Sequence, residues 1–80
     1  MISRADLQDY VYEALKNLGG SGNIVDVAKH IWENHRNELE KSGDLFYTWQ
    51  YDMRWAATKL RQSQKILPAE VSQKGEWIIK

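Results

Sequence analysis

Tyr47-Thr48-Trp49-Gln50-Tyr51-Asp52-Met53-Arg54-Trp55-Ala56-Ala57-Thr58-Lys59-Leu60-Arg61-Gln62-Ser63-Gln64 is the most strongly patterned stretch of the chain. Trp49, Met53, Ala56, Ala57 and Leu60 recur at i, i+4, i+7, i+8 and i+11. At about 100° per residue these positions share one narrow arc of an α-helix. Tyr47, Tyr51, Arg54, Thr58, Gln62 and Lys65 fall on the opposite side, with Gln50 and Arg61 on one flank. No acid lies among them, since Asp52 falls on the other flank. The spacing predicts a helix that starts at Tyr47 or Thr48 and ends near Ser63 or Gln64. Its two alanines leave room for another helix to approach closely.

Upstream, two shorter amphipathic segments precede it. Leu7, Val11, Ala14, Leu15 and Leu18 form one helical face over residues 3–18. Ser3 and Asp6 make an approximate capping box at its start. Gly19-Gly20 stops it, because glycine takes the left-handed conformation at little cost. A residue or two around Asn23 could pair as a minimal strand. Ile24, Val27, Ala28 and Ile31 then form a second stripe, with Trp32 beside it. From Asn34 to Lys41 the only apolar residue is Leu39. This stretch reads as a helical extension or a short extra helix that ends at Ser42-Gly43.

Downstream, the tail reads as a hairpin. Ile66-Leu67 is a short apolar run, and because Pro68 cannot donate to a ladder this strand is expected to be brief or at an edge. Ser72-Gln73-Lys74-Gly75 is the turn, with Gly75 free to take positive φ. Glu76 to Ile79 has the aromatic and β-branched content of a strand. Helix, helix, basic helix and hairpin, in that order, are the elements of a winged helix-turn-helix. The expected fold is therefore α+β: three helices, or four if residues 34–41 stand alone, with a two- or three-stranded wing. Residues 1–80 form a single domain.

The totals narrow the possible functions. Eighty residues need bulky side chains to build a core, and four Trp and four Tyr supply them. There is no Cys, so disulfides and thiolate metal sites are excluded. His30 and His35 are out of the i, i+4 register for a shared metal, and no cofactor is expected. The serines sit at caps and turns, and Gly19-Gly20-Ser21-Gly22 lacks the Lys-Ser/Thr ending of a phosphate loop. No catalytic constellation results, so the chain is expected not to be an enzyme and to take no small-molecule substrate. No apolar run suits a signal peptide or a membrane span, and a cytoplasmic location is expected.

Net charge is zero, which argues against strong nonspecific nucleic-acid binding. Its distribution is uneven. Residues 1–44 carry five basic and eight acidic side chains, net −3, and residues 45–80 carry six and three, net +3. The outward side of the Tyr47–Gln64 helix holds the chemistry that DNA requires. Arginine can fork onto guanine, glutamine can pair with adenine, and threonine, tyrosine and lysine can reach phosphates or thymine methyls. A solvated polar face, which most amphipathic helices carry, is the plainer reading of the same residues. Trp55 lies off the apolar arc and is expected to pack under the hairpin or against the long connection. Trp77 is expected in the core. Trp32 is either core or part of an exposed apolar patch that would favour dimerisation.

Three runs carry a family likeness: Leu15-Lys16-Asn17-Leu18-Gly19-Gly20-Ser21-Gly22, Asp52-Met53-Arg54-Trp55-Ala56-Ala57-Thr58-Lys59-Leu60-Arg61, and Gly75-Glu76-Trp77-Ile78-Ile79. Together they resemble the N-terminal winged-helix domain of Mrr-type restriction proteins over most of the chain. That family shows a helix ending in Gly-Gly, Arg-Trp-Ala followed by Leu in the third helix, and a Gly-aromatic final strand. The resemblance implies DNA recognition through Tyr47 to Arg61 and the hairpin near Lys74. It carries no catalytic implication, since a separate nuclease domain does the cutting there and 80 residues leave no room for one. The family usually has Gly where the third helix meets the hairpin, whereas Gln64-Lys65 stands here.

The reading that follows is a noncatalytic module for double-stranded DNA. Tyr47, Gln50, Tyr51, Arg54, Thr58 and Arg61 would approach the groove, and Lys65 and Lys74 the backbone. The alternative is a protein-interaction module on the same scaffold, such as a homodimer joined through Trp32 and the aromatics near Phe46.

Overall fold

The computed structural model describes residues 2–68, 71 and 75–80. The chain runs through helix α1 (Asp6–Asn17), strand β1 (Ser21–Asn23), helix α2 (Ile24–Glu40), helix α3 (Leu45–Gln62) and strand β2 (Glu76–Ile78). It is a small α+β unit of three helices and a two-stranded antiparallel sheet.

Most of the expected apolar stripes turn inward; Leu18, just past the end of α1, stays exposed, and Ile24 and Ala28 are half-buried. Leu7, Val11, Ala14 and Leu15 of α1, Val27, Ile31 and Leu39 of α2, and Leu45, Trp49, Met53, Ala56, Ala57 and Leu60 of α3 are buried. Ile66 and Trp77 join the same core. The most extensive helix pairing is α1 with α3, and the two small residues Ala56 and Ala57 of α3 are buried. Burying a large aliphatic side chain contributes roughly 1.5–3 kcal/mol, so these side chains hold the fold together.

Boundaries differ from expectation for local reasons. Regular helix in α1 begins at Asp6, not Ser3. The Asp6 carboxylate takes the Ser3 backbone N–H at 2.8 Å, while the Ser3 hydroxyl donates to that carboxylate rather than capping the helix. The helix stops at the glycine pair, with Gly19 at φ 90° and Gly20 at φ 103°. There the Gly20 N–H donates to the Leu15 carbonyl at 2.8 Å. Asn23 ends β1 and caps α2, its side-chain oxygen accepting the Asp26 N–H at 2.8 Å. The polar stretch after Trp32 does extend α2, with a break at His35 (φ −128°, ψ 21°). Buried Leu39 anchors the second half, and the buried Ser42 hydroxyl donates to the Leu39 carbonyl.

The third helix starts two residues earlier than Tyr47. Leu45 lies one turn before Trp49 and is buried with it, so the inward stripe is longer than expected. It also ends at Gln62, ahead of Ser63 and Gln64. Gln64 takes φ 63°, and the Lys65 N–H closes back onto the Leu60 carbonyl at 2.9 Å.

The regular ladder of the sheet joins Ser21 to Ile78, Gly22 to Trp77 and Asn23 to Glu76. The expected hairpin pairing is slighter: one bridge between Ile66 and Ile79, with the Leu67 N–H donating to the Ile78 carbonyl at 2.8 Å. Pro68, which has no N–H, follows at once. Gly75 has φ 79°, as a turn residue there requires. The Ser72–Lys74 part of that turn lies outside the described residues. Among the described residues no helix is long and apolar enough to cross a membrane.

Candidate nucleic-acid interface

The arc that seals Met53 and Leu60 inside leaves the opposite side of α3 in water. Tyr47 is 83% exposed and Tyr51 77%, and Gln50, Arg54 and Thr58 are exposed with them. These five residues lie along one continuous side of a rigid helix. Arg54 is central to it. Among the described residues no carboxylate pairs with Arg54; Arg36, by contrast, pairs with Glu40. On the flank of this side, Asp52 accepts the Thr48 hydroxyl at 2.8 Å.

Two partners inside the chain limit what the site can offer. The Thr58 hydroxyl donates to the Arg54 carbonyl at 3.2 Å, so it meets a ligand mainly as an acceptor or through its methyl. Tyr47 stands edge-on to Phe46, with ring centroids 5.1 Å apart. That contact orients the phenol without covering it.

Two expected residues stand apart from this group. Arg61 is half-buried, and its Nε is sealed from solvent without a hydrogen-bond partner. Its flank position already places the stem against the core edge, so only its outer nitrogens remain for a ligand. Lys65 is exposed but past the end of α3, where the left-handed turn at Gln64 has changed the chain direction. It lines a hollow with Leu60 and with Asp9, Tyr12, Glu13, Lys16 and Asn17 of α1. Lys74 lies outside the described residues.

The remaining aromatics resolve in different ways. Trp77 is in the core. Trp55 is half-buried, and the Arg4 guanidinium lies 4.2 Å from its ring centroid, with the Lys59 ammonium at 5.7 Å. Arg4, from the start of the chain, thus covers one side of this ring, which otherwise packs against the core. Trp32 is half-buried and stacks on Trp49, with centroids 6.1 Å apart and planes 5° from parallel. Beside that stack an open groove separates α2 from α3, with Gln50 and Arg54 on its lip. The sequence reading missed the groove. Ile24, Ala28 and Trp32, at four-residue spacing, were the signal that could have found it.

His35 is a second place where distant segments meet. Tyr10 stacks on its ring at 3.7 Å, and Glu13 Oε2 lies 3.5 Å from His35 Nε2 without hydrogen-bond alignment. Burial raises the Tyr10 pKa, and Glu38, Asp6, Glu13 and Asp9 add to the shift by repelling the phenolate. His30 is held differently, between Asn17 at 3.3 Å and Asn34 at 3.4 Å. No family model, characterised protein or solved structure matches this chain.

Proposed function

We propose that this chain is a noncatalytic winged-helix module that binds duplex DNA through the outer side of α3. The element order supports the reading, as does the return of β2 to pair with β1, which leaves the far side of α3 uncovered. A helix presented in this way fits a major groove. The single observation that carries the proposal is Arg54: exposed, unmatched by any acid among the described residues, and flanked by Gln50, Tyr51 and Thr58. Arg54 and Gln50 would read base edges. Tyr47, Tyr51 and Thr58 would touch sugar and phosphate, and Arg61 would reach a phosphate with its outer nitrogens. Lys65 and Lys74 would contribute from beyond the helix. The sequence resemblance to the Mrr-type domain agrees with a DNA partner.

The test is an anisotropy titration of a labelled mixed-sequence duplex at low salt, with wild type and Arg54→Ala in parallel. Micromolar or weaker binding that falls with added salt is expected. Arg54→Ala should weaken it about tenfold, the low end of the effect of one good arginine contact. Equal binding by both proteins would remove α3 from the interface.

A further inference from the structure

The groove between α2 and α3 has chemistry of its own. It is open, encloses about 640 Å³, and is lined by Ile24, Ala28, Trp32, Phe46, Trp49 and Met53 on its apolar side. Val25 also lines it, at 58% exposed, an aliphatic side chain left in water. Its polar lining residues are Lys29, Gln50 and Arg54: two cations and an amide, and no acid. A third cation, Arg36, lies 5.3 Å from the Trp32 ring centroid, although it is paired with Glu40.

We infer that this groove docks an amphipathic, acid-bearing helix of a partner protein. The apolar floor calls for hydrophobic anchors and the cationic lip for carboxylates beside them. A helix carrying both at i, i+3 or i+4, and i+7 meets that demand. From Ile24 to Trp32 the floor runs about 12 Å at 1.5 Å per residue, which matches two turns of such a helix.

Two other occupants match less well. DNA could set phosphates against Lys29 and Arg54 on the lip, but it brings no apolar side chains to fill the floor. A second copy of this chain would have to bring acids and free apolar anchors together. Its α1 carries Asp6, Asp9 and Glu13, but the apolar stripe of α1 (Leu7, Val11, Ala14 and Leu15) is fully buried.

A phage-displayed library of helix-forming peptides, panned on the full chain, tests the inference. Enriched peptides should combine Leu, Ile or Phe at i and i+4 with flanking Asp or Glu. Resynthesised, they should shift the tryptophan emission, since Trp32 and Trp49 line the groove. A Lys29→Glu/Arg54→Glu variant should bind them at least tenfold more weakly, and so should Val25→Glu. These three side chains are exposed, so the variants should fold, and circular dichroism checks that they do. The inference is overturned by failure to enrich, by enriched peptides without acids, or by equal binding to the variants. A concentration-dependent dimer abolished by Val25→Glu would assign the groove to a second copy and overturn it too. None of these readouts contains DNA, so they stand apart from the nucleic-acid reading.

Discussion

Gln64 holds a left-handed conformation, φ 63°, at the point where α3 turns toward the last strands. Such a conformation costs a side-chain-bearing residue roughly 1–2 kcal/mol, which glycine avoids. Glycine has its own entropic cost of roughly 0.5–1 kcal/mol. Gln64 recovers little in exchange: its amide oxygen accepts the Lys80 ammonium at 3.4 Å, in solvent. Gln64→Gly should therefore stabilise the chain by up to about 1 kcal/mol, a rise of about 4–8 °C in midpoint for a domain this small. An unchanged or lower midpoint by differential scanning calorimetry would refute it. A second residue-scale effect belongs to Tyr10. Burial and then four acids keep its phenol protonated above the ordinary value of about 10. Between the ordinary and the raised pKa, the folded state holds a proton that the unfolded state has lost, so stability falls as pH rises. The contribution is complete below pH about 10 and disappears above it. Urea titrations from pH 9 upward should show wild type losing stability more steeply than Tyr10→Phe. Parallel curves would dismiss the effect.

Among the elements, Asn23 joins two: it closes β1 and caps α2. Asn23→Ala removes the acceptor of the Asp26 N–H and should cost about 1 kcal/mol, while Asn23→Ser should retain most of it. Equal losses in the two variants would mean that the strand, not the cap, needs asparagine. The second half of α2 depends on one side chain. Leu39→Ala deletes its only buried apolar contact beyond the break at His35 and should cost about 2–5 kcal/mol. Amide exchange over residues 36–41 should quicken more than over 24–33, and uniform quickening would deny the local role. These elements also show what could be read from sequence. The stripes of α1, α2 and α3 were legible because burial imposes a 3.6-residue period on residue choice. The start of α3 at Leu45 was not, because a single leucine after Gly43-Asp44 looks the same in a loop as in a first helical turn. The strand ladder was legible only in part: β1 is three residues of Ser-Gly-Asn, with no apolar alternation to reveal it. At the candidate site, exposed Tyr47, Tyr51 and Arg54 followed from helical phase alone. Arg61 sealed at Nε, Lys65 turned toward α1 and Arg4 laid over Trp55 depend on contacts between segments, which no single stretch encodes.

For the molecule as a whole, the decisive quantity is how few cations the proposed interface commands. Net charge is zero, and α1 brings Asp9 and Glu13 to the hollow that Lys65 lines. Four cations are candidates: Arg54, Arg61, Lys65 and Lys74. Each phosphate neutralised contributes about −0.9 to the slope of log affinity against log salt. Full use of all four would give a slope of about −3.6, and a fourfold rise in salt would then weaken binding about 150-fold. The partial burial of Arg61 and the position of Lys65 beside α1 argue for a shallower slope, nearer −2. Arg54→Ala should reduce it by about 1 if that residue also neutralises a phosphate, and leave it unchanged if it reads only bases. The acids of α1 act in the opposite sense. Asp9→Asn/Glu13→Gln removes two negative charges from the hollow that Lys65 lines, so this variant should bind duplex DNA more tightly at low salt and equally at high salt. Anisotropy titrations across a salt series measure all three quantities together. A slope steeper than about −4 would require cations from elsewhere on the surface, and the outer side of α3 could not then be the whole interface.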